Sequence, residues 1–358
     1  MLMTRREFAA AGSAAALATV STARAAESLV PGKTWERREP AAVGLSTEKL
    51  DALRDLVGGR GCVVRGGCLV YGWGDLSQAV DVASAVKPLI STLLFIAIQE
   101  GKLKSVDERV CEFEPALAKL NGGKDAAITW RHLASQTSGY GLAEQPGAVY
   151  SYNDYALALY FDLLTQQVFR EPIDDILKSR IAEPLGFEDR CTFRAINRPD
   201  RAGRLAASVR DMARFGLLYL RGGQWGERRI ITPERHKLAT NSPIAADTPL
   251  TAGNDAEMLP NQRSLGGTKN ITPAGPGYYS FNWWLNRLDS KGQRLYRDLP
   301  EDAYFAVGHG GKRAVWIVPS LDLVVSWNDA TIDDHDESPA DPNTKCNRAA
   351  RLLREAAA

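Results

Sequence analysis

The feature that most constrains this chain is the stretch Asp81 to Ile90, with Pro88 in it, and the long apolar run that follows it, Leu93 to Ile98, which closes at Glu100-Gly101. A helix apolar on every side has no solvent face, so the run predicts a helix buried at the centre of the molecule. Proline is tolerated only in the first turn of such a helix. That places Ser84 at its entrance and Lys87 three residues further on, with both side chains on one face.

The pairing carries chemistry. The positive end of the helix dipole favours negative charge developing near Ser84. A desolvated lysine loses pKa and can accept the hydroxyl proton of a neighbouring serine. Ser84-Ala85-Val86-Lys87 has the Ser-x-x-Lys spacing in which a serine nucleophile and a lysine act together. An N-capping serine followed by a surface lysine would give the same four letters.

The amino terminus reads as a leader rather than as part of the fold. Thr4-Arg5-Arg6-Glu7-Phe8 is a twin-arginine signal core, followed by an alanine-rich stretch, Ala9 to Val20, and by small residues at Ala23-Arg24-Ala25. The stretch is too short and too weakly apolar to span a bilayer. The expectation is export by the twin-arginine route, with residues 1–25 removed and the protein periplasmic or secreted. Removal takes the formal charge from +1 to about −1, which gives no reason to expect nucleic acid or an acidic membrane as partner. No other stretch is long enough to cross a membrane. None of the five cysteines stands in a metal-ligand spacing. Cys62 and Cys68 flank a hairpin and either pair after export or stay as buried thiols.

Helix Thr47 to Val57 leads into a hairpin, Cys62 to Arg65 and Cys68 to Trp73, around a Gly66-Gly67 turn. Thr129 caps a short helix that Gly139 ends. A helix follows from Tyr155 to Val168. Ser208 caps an amphipathic one, with Asp211 at its third position. Residues 239–277 read as a long loop. Three strands come next, Tyr304 to Gly308, Arg313 to Val318 and Leu321 to Trp327, and then a helix from about Asn347 to Glu355. Strands at both ends of the chain around a helical middle predict an α/β (α+β) fold. It is one antiparallel β-sheet flanked by helices, from about 40–82 and 275–358, with a mostly helical domain inserted at about 83–240.

Ser84-Ala85-Val86-Lys87, then Tyr152-Asn153-Asp154 or Tyr150-Ser151-Tyr152, then His309-Gly310-Gly311, with Ile128-Thr129, His132-Leu133, Thr137-Ser138-Gly139 and the Ser208 to Gly216 stretch, make the chain resemble the serine beta-lactamase and penicillin-binding superfamily. The resemblance is to its class C-like branch of esterases, D-amino-acid peptidases and related hydrolases, and covers roughly residue 40 to the end. It implies the beta-lactamase/transpeptidase-like fold, no cofactor or metal, and catalytic roles for Ser84, Lys87, a tyrosine and His309. The family's Tyr-x-Asn corresponds to Tyr152-Asn153-Asp154, with aspartate in the third place, or to Tyr150-Ser151-Tyr152. The first is preferred because it keeps a polar third residue. A carboxylate cannot donate the hydrogen bond that an amide can, so Asp154 departs from the family as a substrate contact. The third motif is His309-Gly310-Gly311, whose glycines allow close approach to a substrate. The resemblance places an oxyanion hole at the backbone N–H groups of Ser84 and Lys312.

The expected activity is an exported serine hydrolase that forms an acyl-enzyme on Ser84, acting on esters or amides of small molecules or peptides. A beta-lactamase or D,D-peptidase is the alternative within the class. A catalytically silent binding protein of the same fold is the alternative outside it. His132 reads as a local backbone partner and His236 as surface. His335, within an acidic run, reads as part of a solvated loop. Trp283-Trp284 reads as core or as a pocket wall.

Overall fold

The computed structural model describes residues 30–196, 198–262, 267–268, 275–334, 337–338 and 341–358, with backbone alone over 196 and 198–202. The twin-arginine leader and His335 lie outside the described residues.

The architecture is a seven-stranded antiparallel sheet packed between helices. Its first strands are β1 (Arg60–Arg65) and β2 (Cys68–Trp73). Two further strands, β3 (Val80–Asp81) and β4 (Thr192–Ile196), pair with β5 (Arg198–Ala207) in a separate sheet of order β3-β5-β4. A two-residue hairpin follows, β6 (Gln224–Trp225) and β7 (Arg228–Arg229). The main sheet then resumes with β8 (Tyr279–Ser280), β9 (Trp283–Leu285), β10 (Tyr304–Gly308), β11 (Arg313–Val318) and β12 (Leu323–Asn328). Its order is β2-β1-β12-β11-β10-β9-β8. The first and last strands of the chain pair within it, where Val63 lies opposite Val325, so the sheet is complete only when both chain ends are in place.

Helices cover both faces. On one side lie α1 (Thr47–Val57), capped by the Ser46 hydroxyl, and the C-terminal helix. They enclose a core with Val63, Phe305, Trp316 and Trp327. The other face meets the inserted part of the chain. Its helices are α2 (Lys87–Gln99), α3 (Trp130–Ala134), α4 (Asp154–Leu163), α5 (Ile173–Leu177), α6 (Glu183–Leu185), α7 (Val209–Leu220) and α8 (Pro233–Asn241). The C-terminal helix is α9 (Lys345–Ala356).

α2 is the buried axis that its composition requires. Leu89, Leu93, Leu94 and Phe95 are fully buried, each contributing roughly 1.5–3 kcal/mol of transfer free energy. Its two buried polar residues, Ser91 and Thr92, find partners inside the protein. Ser91 Oγ donates to Asn282 Oδ1 at 2.7 Å, and Thr92 Oγ1 donates to Pro88 O at 2.9 Å.

Several local readings change. The helix capped by Thr129 stops at Ala134, not Gly139, because Gln136 turns left-handed (φ 61°) and sends the chain towards the site. The fourth helix begins at Asp154, one residue early, because Asn153 caps it: Asn153 Oδ1 accepts from Ala156 N at 2.9 Å. Its continuation, Leu164–Phe169, is wound as a π-helix. The sheet of β3, β4 and β5 had no counterpart in the sequence reading. Cys62 and Cys68 are free thiols on opposite faces of the main sheet, in different cores. A pair of side chains separated by the sheet cannot form a disulfide. His236 is not a surface residue: it is half-buried, 2.8 Å from Tyr219 O, and packs against Tyr219 and Tyr304.

Candidate active site

The site begins where β3 ends. Val82 N donates to Leu205 O at 3.0 Å, which ties this point to β5. A 3₁₀ turn, Ala83–Val86, then runs into α2, with Pro88 in the first helical turn. One turn of backbone therefore separates Ser84 from Lys87. Lys87 Nζ donates to Ser84 Oγ at 2.7 Å and is also hydrogen-bonded to the Tyr152 hydroxyl.

Asn153 holds Tyr152 in place. Its N–H donates to Gln136 Oε1 at 2.6 Å, and its side-chain amide donates to Tyr140 O at 2.8 Å. The Tyr152 ring stacks on Trp284 with centroids 6.1 Å apart and meets Tyr279 edge-on. Tyr150 is elsewhere. It is buried, packs against Tyr279, and lies over Gly275 so closely that a Cβ there would sit 2.2 Å from its ring. Of the two tyrosines, Tyr152 is the one in contact with Lys87.

Burial sets the electrostatics. Loss of water pushes the Lys87 ammonium below its ordinary pKa, while the Asp154 carboxylate, 3.7 Å away, pulls back upward. Burial pushes the Tyr152 phenol well above its ordinary value, and the charge of Asp154 adds to this. The phenol is therefore held in its protonated form, and the lowered pKa of the amine makes it the readier of the two to accept a proton.

The His309 to Lys312 segment is a turn between β10 and β11, not part of a strand, because Gly308 pairs directly with Arg313. His309 is exposed with a left-handed backbone (φ 51°). The close approach to the serine comes from Gly308, one residue before the motif. A Cβ on Gly308 would stand 3.0 Å from Ser84 N and 2.9 Å from Val82 O. Two sequence assignments change here. Lys312 N–H donates to His309 O at 3.1 Å to close the turn, and its ammonium pairs with Asp333 at 2.7 Å, so neither group is offered to a substrate. Gly311 faces the other core: a Cβ on it would strike Cys346 Sγ and Ile332 at 2.7 Å. Gly310 O accepts from Asp334 N at 2.7 Å, which bolts the turn to the loop after β12.

The adjacent tryptophans divide between the two readings. Trp283 is core, against Phe215, Tyr219 and Tyr304. Trp284 backs Tyr152. Tyr279, opposite Trp284 in the β8–β9 hairpin, completes this aromatic wall. The sequence reading had not singled it out, since it is distant in the chain and no spacing joins it to Ser84. His132 serves the backbone, its Nδ1 accepting from Thr129 N at 3.2 Å in a capping box. Among the described residues no cluster of His, Cys, Asp or Glu is built to hold a metal, and no helix is long and apolar enough to cross a membrane.

The family model described as Beta-lactamase matches residues 47–328, a span that holds Ser84, Lys87, Tyr152 and Gly308. The chain belongs to the beta-lactamase family. This superfamily consists of serine hydrolases. Among solved structures, a beta-lactamase from Mycobacterium bovis is 18% identical with a TM-score of 0.58, covering 86% of this chain and 99% of that one. EstCE1, a hydrolase with promiscuous acyltransferase activity, is 16% identical with a TM-score of 0.59, covering 89% and 97%. A penicillin-binding protein homologue from Caulobacter crescentus is 16% identical with a TM-score of 0.56, covering 87% and 97%. At these identities the likeness is one of fold. No match is found among the curated proteins.

Proposed function

We propose that this beta-lactamase-family chain is a serine hydrolase that forms an acyl-enzyme on Ser84 and prefers uncharged esters or amides to beta-lactams. The observation that carries the reading is the half-buried Lys87 amine, hydrogen-bonded at once to Ser84 Oγ and to the Tyr152 hydroxyl. Lys87 in its neutral form takes the Ser84 proton as Oγ attacks the carbonyl. The tetrahedral oxyanion sits against Ser84 N–H and the strand end at Gly308–His309, the segment that comes nearest to it. Tyr152 passes a proton to the leaving oxygen or nitrogen and is reprotonated from Lys87. Water then enters by the reverse sequence and releases the acid. None of these steps calls for a cofactor.

The preference follows from charge. Penicillins carry a carboxylate. Asp154 sets a negative charge beside Lys87 where the family has an amide, Lys312 is spent on Asp333, and Arg313 is turned to Asp81 O at 3.1 Å. His309 is not the permanent cation that a lysine at this position would be. The test has two parts. A fluorophosphonate probe should label the wild-type protein and not Ser84→Ala; equal labelling of both removes Ser84 from the mechanism, and no labelling of either favours the silent binding protein. kcat/KM for p-nitrophenyl butyrate should exceed that for nitrocefin, and the reverse order, with nitrocefin near 10⁴ M⁻¹s⁻¹ or above, identifies a beta-lactamase. Export rests on Arg5-Arg6 and the following leader. It is tested by mass spectrometry of the periplasmic fraction, where an uncleaved cytoplasmic chain refutes it.

A further inference from the structure

We propose that Asp81 is a positioning residue for Ser84, acting by holding Ala83 in a left-handed turn. The inference rests on the reading of Ser84 as nucleophile.

Ala83 has φ 47°. That region is rarely occupied by a residue with a Cβ, and alanine has no side-chain amide or carboxylate to support it locally. Here the turn is what redirects the chain from β3 into the 3₁₀ turn that presents Ser84. The support comes from outside alanine. Asp81 Oδ1 accepts from Ala83 N at 2.9 Å. The other carboxylate oxygen is paired with the Arg204 guanidinium of β5. The main-chain oxygen of Asp81 accepts from Arg313 Nε of β11 and from Asn328 Nδ2 of β12, both at 3.1 Å. Three strands distant in sequence thus grip one residue, and that residue grips the one before the nucleophile. Gly308 closes the other side of the same turn.

Stability alone is a poor explanation for this arrangement. The Asp81 and Arg204 side chains are 29% and 33% exposed, and ion pairs with that much access to water contribute little to folding. Misplacing a reacting atom, in contrast, is costly for rate. The clasp serves geometry: it keeps Ser84 Oγ at hydrogen-bonding distance from Lys87 Nζ with the Ser84 N–H on the side of Gly308.

The test measures the second-order rate of fluorophosphonate labelling, with Tm and the KM for an ester substrate recorded alongside. Asp81→Ala should slow labelling at least tenfold with KM little changed. Asp81→Asn keeps an acceptor for Ala83 N–H and should stay within about threefold of wild type. Adding Ala83→Gly, which adopts the left-handed turn without a Cβ penalty, should recover at least threefold of what Asp81→Ala lost. Ala83→Val, β-branched and hostile to this backbone, should by itself slow labelling tenfold, which keeps the inference testable if Asp81→Ala fails to fold. The inference is overturned if Asp81→Ala or Ala83→Val labels at the wild-type rate. It is also overturned if Asp81→Asn is as slow as Asp81→Ala, or if Ala83→Gly recovers nothing. Labelling that persists in Ser84→Ala would instead overturn the assignment of the nucleophile.

Discussion

Gly308→Ala should slow acylation without changing the backbone conformation available to residue 308. Gly308 is not among the left-handed residues, so alanine can adopt its φ and the effect is one of contact. The added Cβ would meet Val82 O at 2.9 Å, Ser84 N at 3.0 Å and Ala85 N at 3.1 Å, where ordinary contacts begin at 3.4 Å. All three neighbours are backbone atoms, and the Val82 end is anchored to β5. The turn carrying Ser84 must therefore retreat by about 0.5 Å. A displacement of roughly 1 Å costs about 10²-fold in rate, so half of it should cost about tenfold, or ~1.4 kcal/mol of transition-state stabilisation. Overpacking should also lower stability by about 1–3 kcal/mol. The measurement is the labelling rate per folded molecule, with folded fraction fixed by thermal denaturation. Gly311→Ala is the control. Its Cβ would crowd Cys346 and Ile332, on the opposite side, from a left-handed φ of 95°. It should lose stability and keep the labelling rate of the folded protein. If Gly308→Ala labels at the wild-type rate, or if Gly311→Ala is slowed to the same degree, the close approach of β10 to the serine is not what shapes the oxyanion site.

Tyr152→Phe should slow turnover by about 10²-fold or more, the usual contribution of a general acid–base group, whereas Tyr150→Phe should leave the chemical step nearly intact; steady-state kcat ranks them. Lys87→Met should abolish acylation, and thermal denaturation should show Tm unchanged or raised, because a partly desolvated ammonium is held at a cost. The same burial gives the pH dependence its sign. The Lys87 pKa is lowered, so the neutral base is gained as pH rises through that value; kcat/KM for an uncharged ester should fall towards acid. Stability should also fall towards acid through the histidines. Burial lowers the pKa of both His132 and His236, so the folded protein binds fewer protons than the unfolded chain below pH 6.5. Unfolding in urea should become easier as pH drops from 6.5 to 5, and His236→Gln should flatten that slope.

The buried helix and the Ser84–Lys87 pair were legible in the sequence because both are local. A run of apolar residues behind a proline permits few environments, and a three-residue spacing on a helix places two side chains together whatever the rest of the chain does. The hairpin of β1 and β2 and the caps at Thr129 and Ser208 follow from equally short-range rules of pattern and turn chemistry, and the order of strands and helices along the chain pointed to a sheet drawn from both chain ends. Tyr152 was half-legible: motif order brought the segment to the site, but two tyrosines two residues apart in an extended segment were told apart only when Asn153 was fixed by Gln136 and Tyr140. The third motif was read one residue late. His309 and its glycines are the visible letters, yet the residue that touches the serine turn is Gly308, because the pairing of Gly308 with Arg313 decides where β10 stops. The sequence offered Trp284 only as one of two readings, and the pairing of Tyr279 with it and the grip of Arg204, Arg313 and Asn328 on Asp81 have no sequence signature. Each joins residues from separate elements through a sheet register, and register is a property of strands already assembled.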